Sequence, residues 1–128
     1  MARILPGIFF IMHGLVHMWY FVLARRIVPF KGEMGWSCKS WLFTRLIGDA
    51  ATRTLASLLL VSVTIAFVTG GISFLAGQSW ARPLLLASAA ASILVLGLFW
   101  DGGLKLIVQK GLIGVLIDIG ILVGMLMI

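Results

Sequence analysis

The sequence predicts an all-α membrane protein, a compact bundle of four transmembrane helices with an interfacial helix in the first loop. Three observations carry that expectation. Of 128 residues, 62% are hydrophobic and only 11% are charged, and the mean hydropathy is +1.17, whereas a soluble domain carries about 25% charged residues. A water-soluble fold of this length could not hide so much apolar surface, because small domains leave a large share of it wet. The apolar residues also fall into runs near the roughly 20 residues that a spanning helix needs, with the basic residues gathered at the ends of the runs. That length accommodates about four spans in one membrane domain over residues 1–128 and no separate soluble domain.

The first span covers residues 4–24. Pro6 falls in its first turn, where a missing N–H is tolerated. Trp19 and Tyr20 lie toward its far end, near a headgroup layer. The run is longer than the apolar core of a secretory leader, and no small-x-small cleavage site precedes Arg25-Arg26, so it reads as a retained helix. Residues 25–53 form the longest polar stretch, with Arg25, Arg26, Lys31, Lys39, Arg45 and Arg53 against Glu33 and Asp49. Pro29, Gly32 and Gly35 break any helix early in it. From Ser40 to Ile47, the pattern of Trp41, Leu42, Arg45 and Leu46 suits a short amphipathic helix on the membrane surface, anchored by Trp36 and Trp41. A solvated loop with two buried tryptophans fits the same residues.

The second span runs over 54–76, with Asp49 placed to cap it. Residues 77–83 make a tight turn. The third span covers 84–100, with Pro83 at its start, and Asp101-Gly102-Gly103 ends it. The fourth span covers 111–128. Arg3 and Arg82 fall on one side of this arrangement, and Arg25, Arg26, Lys31, Lys39, Arg45, Arg53, Lys105 and Lys110 fall on the other. The positive-inside bias puts loop 25–53 and the third loop in the cytoplasm and both termini outside the cell membrane. The basic loop then meets anionic lipid headgroups, and no nucleic acid is implied. Small residues four apart, Ala87 and Ala91, Ser88 and Ser92, Gly120 and Gly124, permit close helix contact. Gly111, Gly114 and Asp118 give span four a second small face. One of its two sides is therefore available to another copy of the chain or to a larger membrane complex.

Chemistry is confined to a few polar positions. His13 and His17 are four apart, so both rings leave one face of span one. An ionisable group inside a span is a candidate functional site. Asp118 is the acidic residue of span four. At 1.5 Å per residue, His17 and Asp118 each lie roughly 10 Å from the cytoplasmic ends of their spans. These two share a level if their helices are neighbours, where a pair between them would lower the cost of each, with His13 one turn further out; a purely structural contact that sets helix register uses the same residues. The H-E-x-x-H signature is absent and no Cys or Glu stands nearby, which leaves Asp118 as the available third ligand, so no metal site is assigned. Quinone, or haem through one imidazole, are the cofactor classes in view. At the cytoplasmic interface, Asp101 is expected to pair with Arg53 or Lys105. A single cysteine, Cys38, without a C-x-x-C excludes an internal disulfide and argues against thiol redox chemistry. The glycine motifs of nucleotide binding are absent. Span one also lacks the carboxylate on which a four-span multidrug exporter depends.

Span one reads Arg3-x3-Gly7-x2-Phe10-x3-Gly14-x2-His17. It resembles the opening helix of the DoxX-like group, small bacterial and archaeal four-helix membrane proteins, and the span count, size and glycine-rich last helix agree. The second helix lacks the acidic residue and glycine run expected of that group, and the tryptophan-rich first loop differs. Some members resemble subunits of quinone-linked oxidoreductases. The resemblance therefore implies a quinone-linked or accessory role in the membrane. The expected function is binding of a lipid-soluble ligand such as a quinone, or service as a membrane subunit of a redox system. The alternatives are a structural or assembly protein and a small proton-coupled transporter working through Asp118.

Overall fold

A computed structural model of the chain describes residues 2–29, 36 and 39–128; Lys31, Gly32, Glu33, Gly35 and Cys38 lie outside the described residues. The helices are α1 (Ile4–Ala24), α2 (Phe43–Leu75), α3 (Ala81–Leu98) and α4 (Ile113–Met127), the last led in by a π-helical turn over Val108–Leu112. No strand occurs among the described residues. Counting the π turn with α4, all four helices are long and apolar enough to cross a membrane. The chain is thus a small integral membrane protein built as an all-α, four-helix bundle. Helix α1 lies along α2, α2 along α3, and α3 along α4.

Helix α1 has the bounds its composition dictates, while α2 and α3 begin earlier than their apolar runs. Helix α2 takes in Asp49 and Arg53, because the two bond to each other one turn apart, Nε to Oδ2 at 3.0 Å. Arg53 also donates to the carbonyl of Ala24 at the C-terminal end of α1, where a cation offsets the helix dipole. Helix α3 begins at Ala81 because Pro83 sits in its first turn, where no N–H is required. The π-helical turn Val108–Leu112 leads into the fourth helix, with Gly111 at φ 104° breaking regular geometry inside it, and Lys110 turns its ammonium back to Asp101 and Gly103.

The interfacial segment of the first loop is the opening part of α2. Gly48, at φ 83°, breaks the helix between it and the span, a backbone geometry that favours glycine. Ser40 Oγ accepts from the N–H groups of Leu42 and Phe43 and donates to Leu98 O. Trp41 Nε1 donates to Gly97 O at 2.9 Å. The segment is thereby docked on the end of α3, and Leu46 and Ile47 remain exposed. Trp36 departs from the expected role of surface anchor. It is fully buried, edge-on to Tyr20 with ring centroids 4.9 Å apart, so Tyr20 too faces the bundle while Trp19 faces outward.

The closest helix approach uses glycines that the four-residue spacing rule does not pick out. A Cβ added to Gly71 would lie 2.9 Å from the carbonyl oxygen of Gly7, and one added to Gly14 would lie 2.6 Å from Phe67 Cβ. Gly7, Gly14 and Gly71 therefore form the α1–α2 seam. Gly111 and Gly114 accept Leu96 of α3, whereas Gly120 and Gly124 have nothing within 4 Å of an added Cβ. At the helix ends, Gly77 closes α2 with the paired bonds of a Schellman motif, Gly77 N–H to Phe74 O and Gln78 N–H to Ser73 O. Arg82 donates to Met125 O at 2.7 Å, tying the start of α3 to the end of α4.

Two outcomes follow from this packing. Gly14→Val forces the α1–α2 seam apart and lowers stability by about 1–3 kcal/mol in a detergent unfolding titration, whereas Gly124→Ala, facing open space, changes it by less than about 0.5 kcal/mol. The second concerns Asp101. Burial alone would raise its pKa, but the Gly103 N–H and the Lys110 ammonium outweigh burial and hold it below the usual carboxylate value of 3.8. A depressed pKa stabilises the folded turn fully above that ordinary value, and the contribution is lost as pH falls through the depressed one. Protection of the Gly103 amide from hydrogen exchange should drop over that acidic range in the native chain and be low and pH-independent in Asp101→Ala, which removes the acceptor.

Candidate functional site

The polar residues of three helices converge at mid-bundle. His13 and His17 leave the same face of α1, as their spacing requires, and both are buried. His17 Nδ1 lies 3.0 Å from the carbonyl oxygen of His13. A carbonyl only accepts, so Nδ1 carries the proton, and in the neutral ring Nε2 offers its lone pair to the hydroxyl of Ser92 on α3 at 2.7 Å. His13 Nε2 lies 2.7 Å from Asp118 Oδ1 on α4, with one proton between them. One helix face thus binds α1 to α3 through His17 and to α4 through His13.

The shared depth expected of His17 and Asp118 is corrected here: the direct partner of Asp118 is His13. The two histidines lie one turn apart on one face of α1, and Gly111, at φ 104°, breaks the helix inside the π turn that leads into α4, so a straight count from the end of the apolar run does not give the depth of the carboxylate. The expected interfacial pairing of Asp101 is also corrected. Its partner is Lys110, at 3.0 Å, and Arg53 is held by Asp49. Arg53, Asp101 and Lys105 are therefore not one cluster, because local bonds within the α2 start and the third loop satisfy the acids first.

Aromatic rings enclose the pair. Phe67 of α2 sits edge-on to His13 at 5.0 Å and nearly parallel to His17 at 5.7 Å. Phe9 stacks on His13 at 6.0 Å with an interplanar angle of 7°. On its other side Phe9 lines an apolar groove of about 560 Å³ between α1 and α4, together with Leu5, Phe10, Ile117, Gly120 and Gly124. Ligand pockets for small molecules span about 300–1,000 Å³, so the groove is of sufficient size. Asp118 is fully buried, and its Oδ2 has no hydrogen-bond partner. An unsatisfied buried oxygen costs about 1–3 kcal/mol, more when charged, so Oδ2 is poised to accept a further donor. The ligand atoms of His13, His17 and Asp118 all lie within 4.8 Å of one another.

Sequence reasoning picked out the three ionisable residues but read Ser92 only as a small packing residue. Its signal was weak, since a serine four residues from another small residue is ordinary in a span. Phe9 and Phe67 gave no signal, because aromatic residues in apolar runs are common.

The His13–Asp118 assignment has a direct check. In a double-mutant cycle on unfolding in detergent, His13→Ala and Asp118→Ala should couple by about 0.5–3 kcal/mol, while Asp49→Ala, which removes an exposed carboxylate whose partner is Arg53, and Asp118→Ala should add to within about 0.5 kcal/mol. Neither a family model, nor a curated protein, nor a solved structure matches this chain.

Proposed function

We propose that this membrane protein binds a lipid-soluble ligand with a hydrogen-bonding headgroup, of the quinone class, in the α1–α4 groove. The observation that carries the reading is Phe9, which stacks on His13 of the buried polar pair and also lines the apolar α1–α4 groove, while Asp118 Oδ2 is left without a hydrogen-bond partner. An apolar wall takes the ring and tail, and a few convergent polar atoms orient the head. A quinol hydroxyl can donate to the carboxylate of Asp118, and the proton shared with His13 can be donated to a quinone carbonyl. Phe9 stacks on His13 and lines the groove, so its rotation opens a path from the groove to His13 for the headgroup. The likeness of the first helix to the DoxX-like group supports the quinone-linked class and service as a membrane subunit of a redox system. The charge bias supports a cytoplasmic 25–53 loop in the cell membrane, set against anionic lipid.

A structural role is the second reading, favoured by the hydrogen bonds that tie His17 to Ser92 and His13 to Asp118. The two readings separate in one experiment. Protein purified in mild detergent is extracted for lipids, examined for absorption, and titrated with a short-chain quinone while tryptophan fluorescence is followed. Co-purified quinone and saturable quenching are expected, with Phe9→Trp, which fills the groove, weakening binding about tenfold or more at unchanged thermal stability. A folded protein that neither carries nor binds quinone overturns the reading in favour of a structural role. A Soret band overturns it in favour of haem.

A further inference from the structure

We propose that His13, His17 and Asp118 form a binding site for a divalent first-row transition-metal ion. The inference goes beyond the quinone reading and stands without it. Three residues from two helices each offer a ligand atom, and the three atoms lie within 4.8 Å of one another. Zinc bound at 2.0–2.1 Å to nitrogen or oxygen needs ligand atoms about 3.3 Å apart in a tetrahedron. Side-chain rotations of about an ångström reach that spacing, with His13 and Asp118 opening from 2.7 Å as the ion replaces the proton between them.

The surroundings favour such an ion in two ways. Metal-binding histidines commonly donate their other ring N–H to a backbone carbonyl, which fixes the tautomer. His17 does this already: its Nδ1–H is spent on His13 O, so the lone pair of Nε2 is available, with only the Ser92 hydroxyl competing for it. The second is Asp118 itself. It is fully buried with one oxygen unpartnered, and among the described residues its only ion-pair partner is His13. A dication answers both carboxylate oxygens where a shared proton answers one. Two imidazoles and a single carboxylate select zinc, iron, nickel or copper over calcium or magnesium, which want more oxygen ligands. Three protein ligands leave a fourth position for water or an anion, which completes the tetrahedron and offsets the remaining positive charge.

The test uses tag-free, chelator-treated protein in detergent, titrated with Co²⁺ and then with Zn²⁺. One equivalent of Co²⁺ should give the visible bands of a four-coordinate ion, and Zn²⁺ should abolish them. Affinity should fall by up to about tenfold per pH unit on acidification, because the ion must displace a proton. Asp118→Asn and His17→Gln should weaken binding beyond the roughly 10–100-fold that loss of an outer-shell partner costs. Ser92→Ala removes the competitor for His17 Nε2 and should leave affinity equal or higher. X-ray absorption of the zinc-loaded native protein should show two imidazoles in the first shell, a readout independent of whether the ligand variants fold. Absence of Co²⁺ bands at one equivalent in the folded native protein overturns the proposal, as does undiminished binding in a folded Asp118→Asn variant. Failure to bind quinone leaves this test unaffected.

Discussion

Inside a bilayer a polar atom has no water to turn to, so each must find its partner within the protein. In this bundle that demand falls on one face of α1. His13 and His17 sit one turn apart, and each answers a different helix, Asp118 on α4 and Ser92 on α3. Neighbouring helices along the chain already pack on one another. The first and last helices have no such link, and the His13–Asp118 bond joins them. Hydrogen bonds between membrane helices contribute on average only about 0.6 kcal/mol. Their larger effect here is on register: a buried carboxylate has one satisfactory depth, and the fourth helix must present it there.

The two sides of α1 are built by opposite means. Toward α2 the backbones approach so closely that Gly7, Gly14 and Gly71 leave no space for a methyl group. Close contact of this kind is how helices gain dispersion energy when lipid supplies no hydrophobic drive. Toward α4 the contact is made through side chains, and Gly120 and Gly124 look into open space. Tight packing on one side and loose packing on the other leave an apolar groove between α1 and α4. Phe9 belongs to both the groove and the polar cluster, lining the first and stacking on His13 of the second.

Charge is handled at the ends. Arg53 reaches the last carbonyls of α1, and Arg82 reaches those of α4. Each arginine satisfies groups that the helix itself leaves unbonded and meets the negative end of the dipole. The same residues that mark span boundaries in the sequence thus stitch antiparallel neighbours together. Trp36 and Tyr20 extend the buried aromatic layer from the histidines toward the first loop, with ring centroids 6.4 Å apart from His17 to Tyr20 and 4.9 Å from Tyr20 to Trp36.

The sequence by itself determined the solvent, the number of helices, the bounds of the first, and the identity of the ionisable residues that meet. These follow from one-dimensional quantities: apolar run length, the 3.6-residue period and the rarity of charge in a span. Pairing was decided by the tertiary structure. Whether Asp118 meets His13 or His17 turns on a single helical turn of register, and the break at Gly111, inside the turn Val108–Leu112 that leads into α4, interrupts the count on which that register rests. Apolar run length cannot show such a break. Nor could spacing show which glycines would be pressed against a neighbour. Gly120 and Gly124 have the familiar four-residue interval and stand open, while Gly7 and Gly14, seven apart, carry the seam. Helix faces are set by local geometry, but what each face meets is set by how whole helices lean on one another.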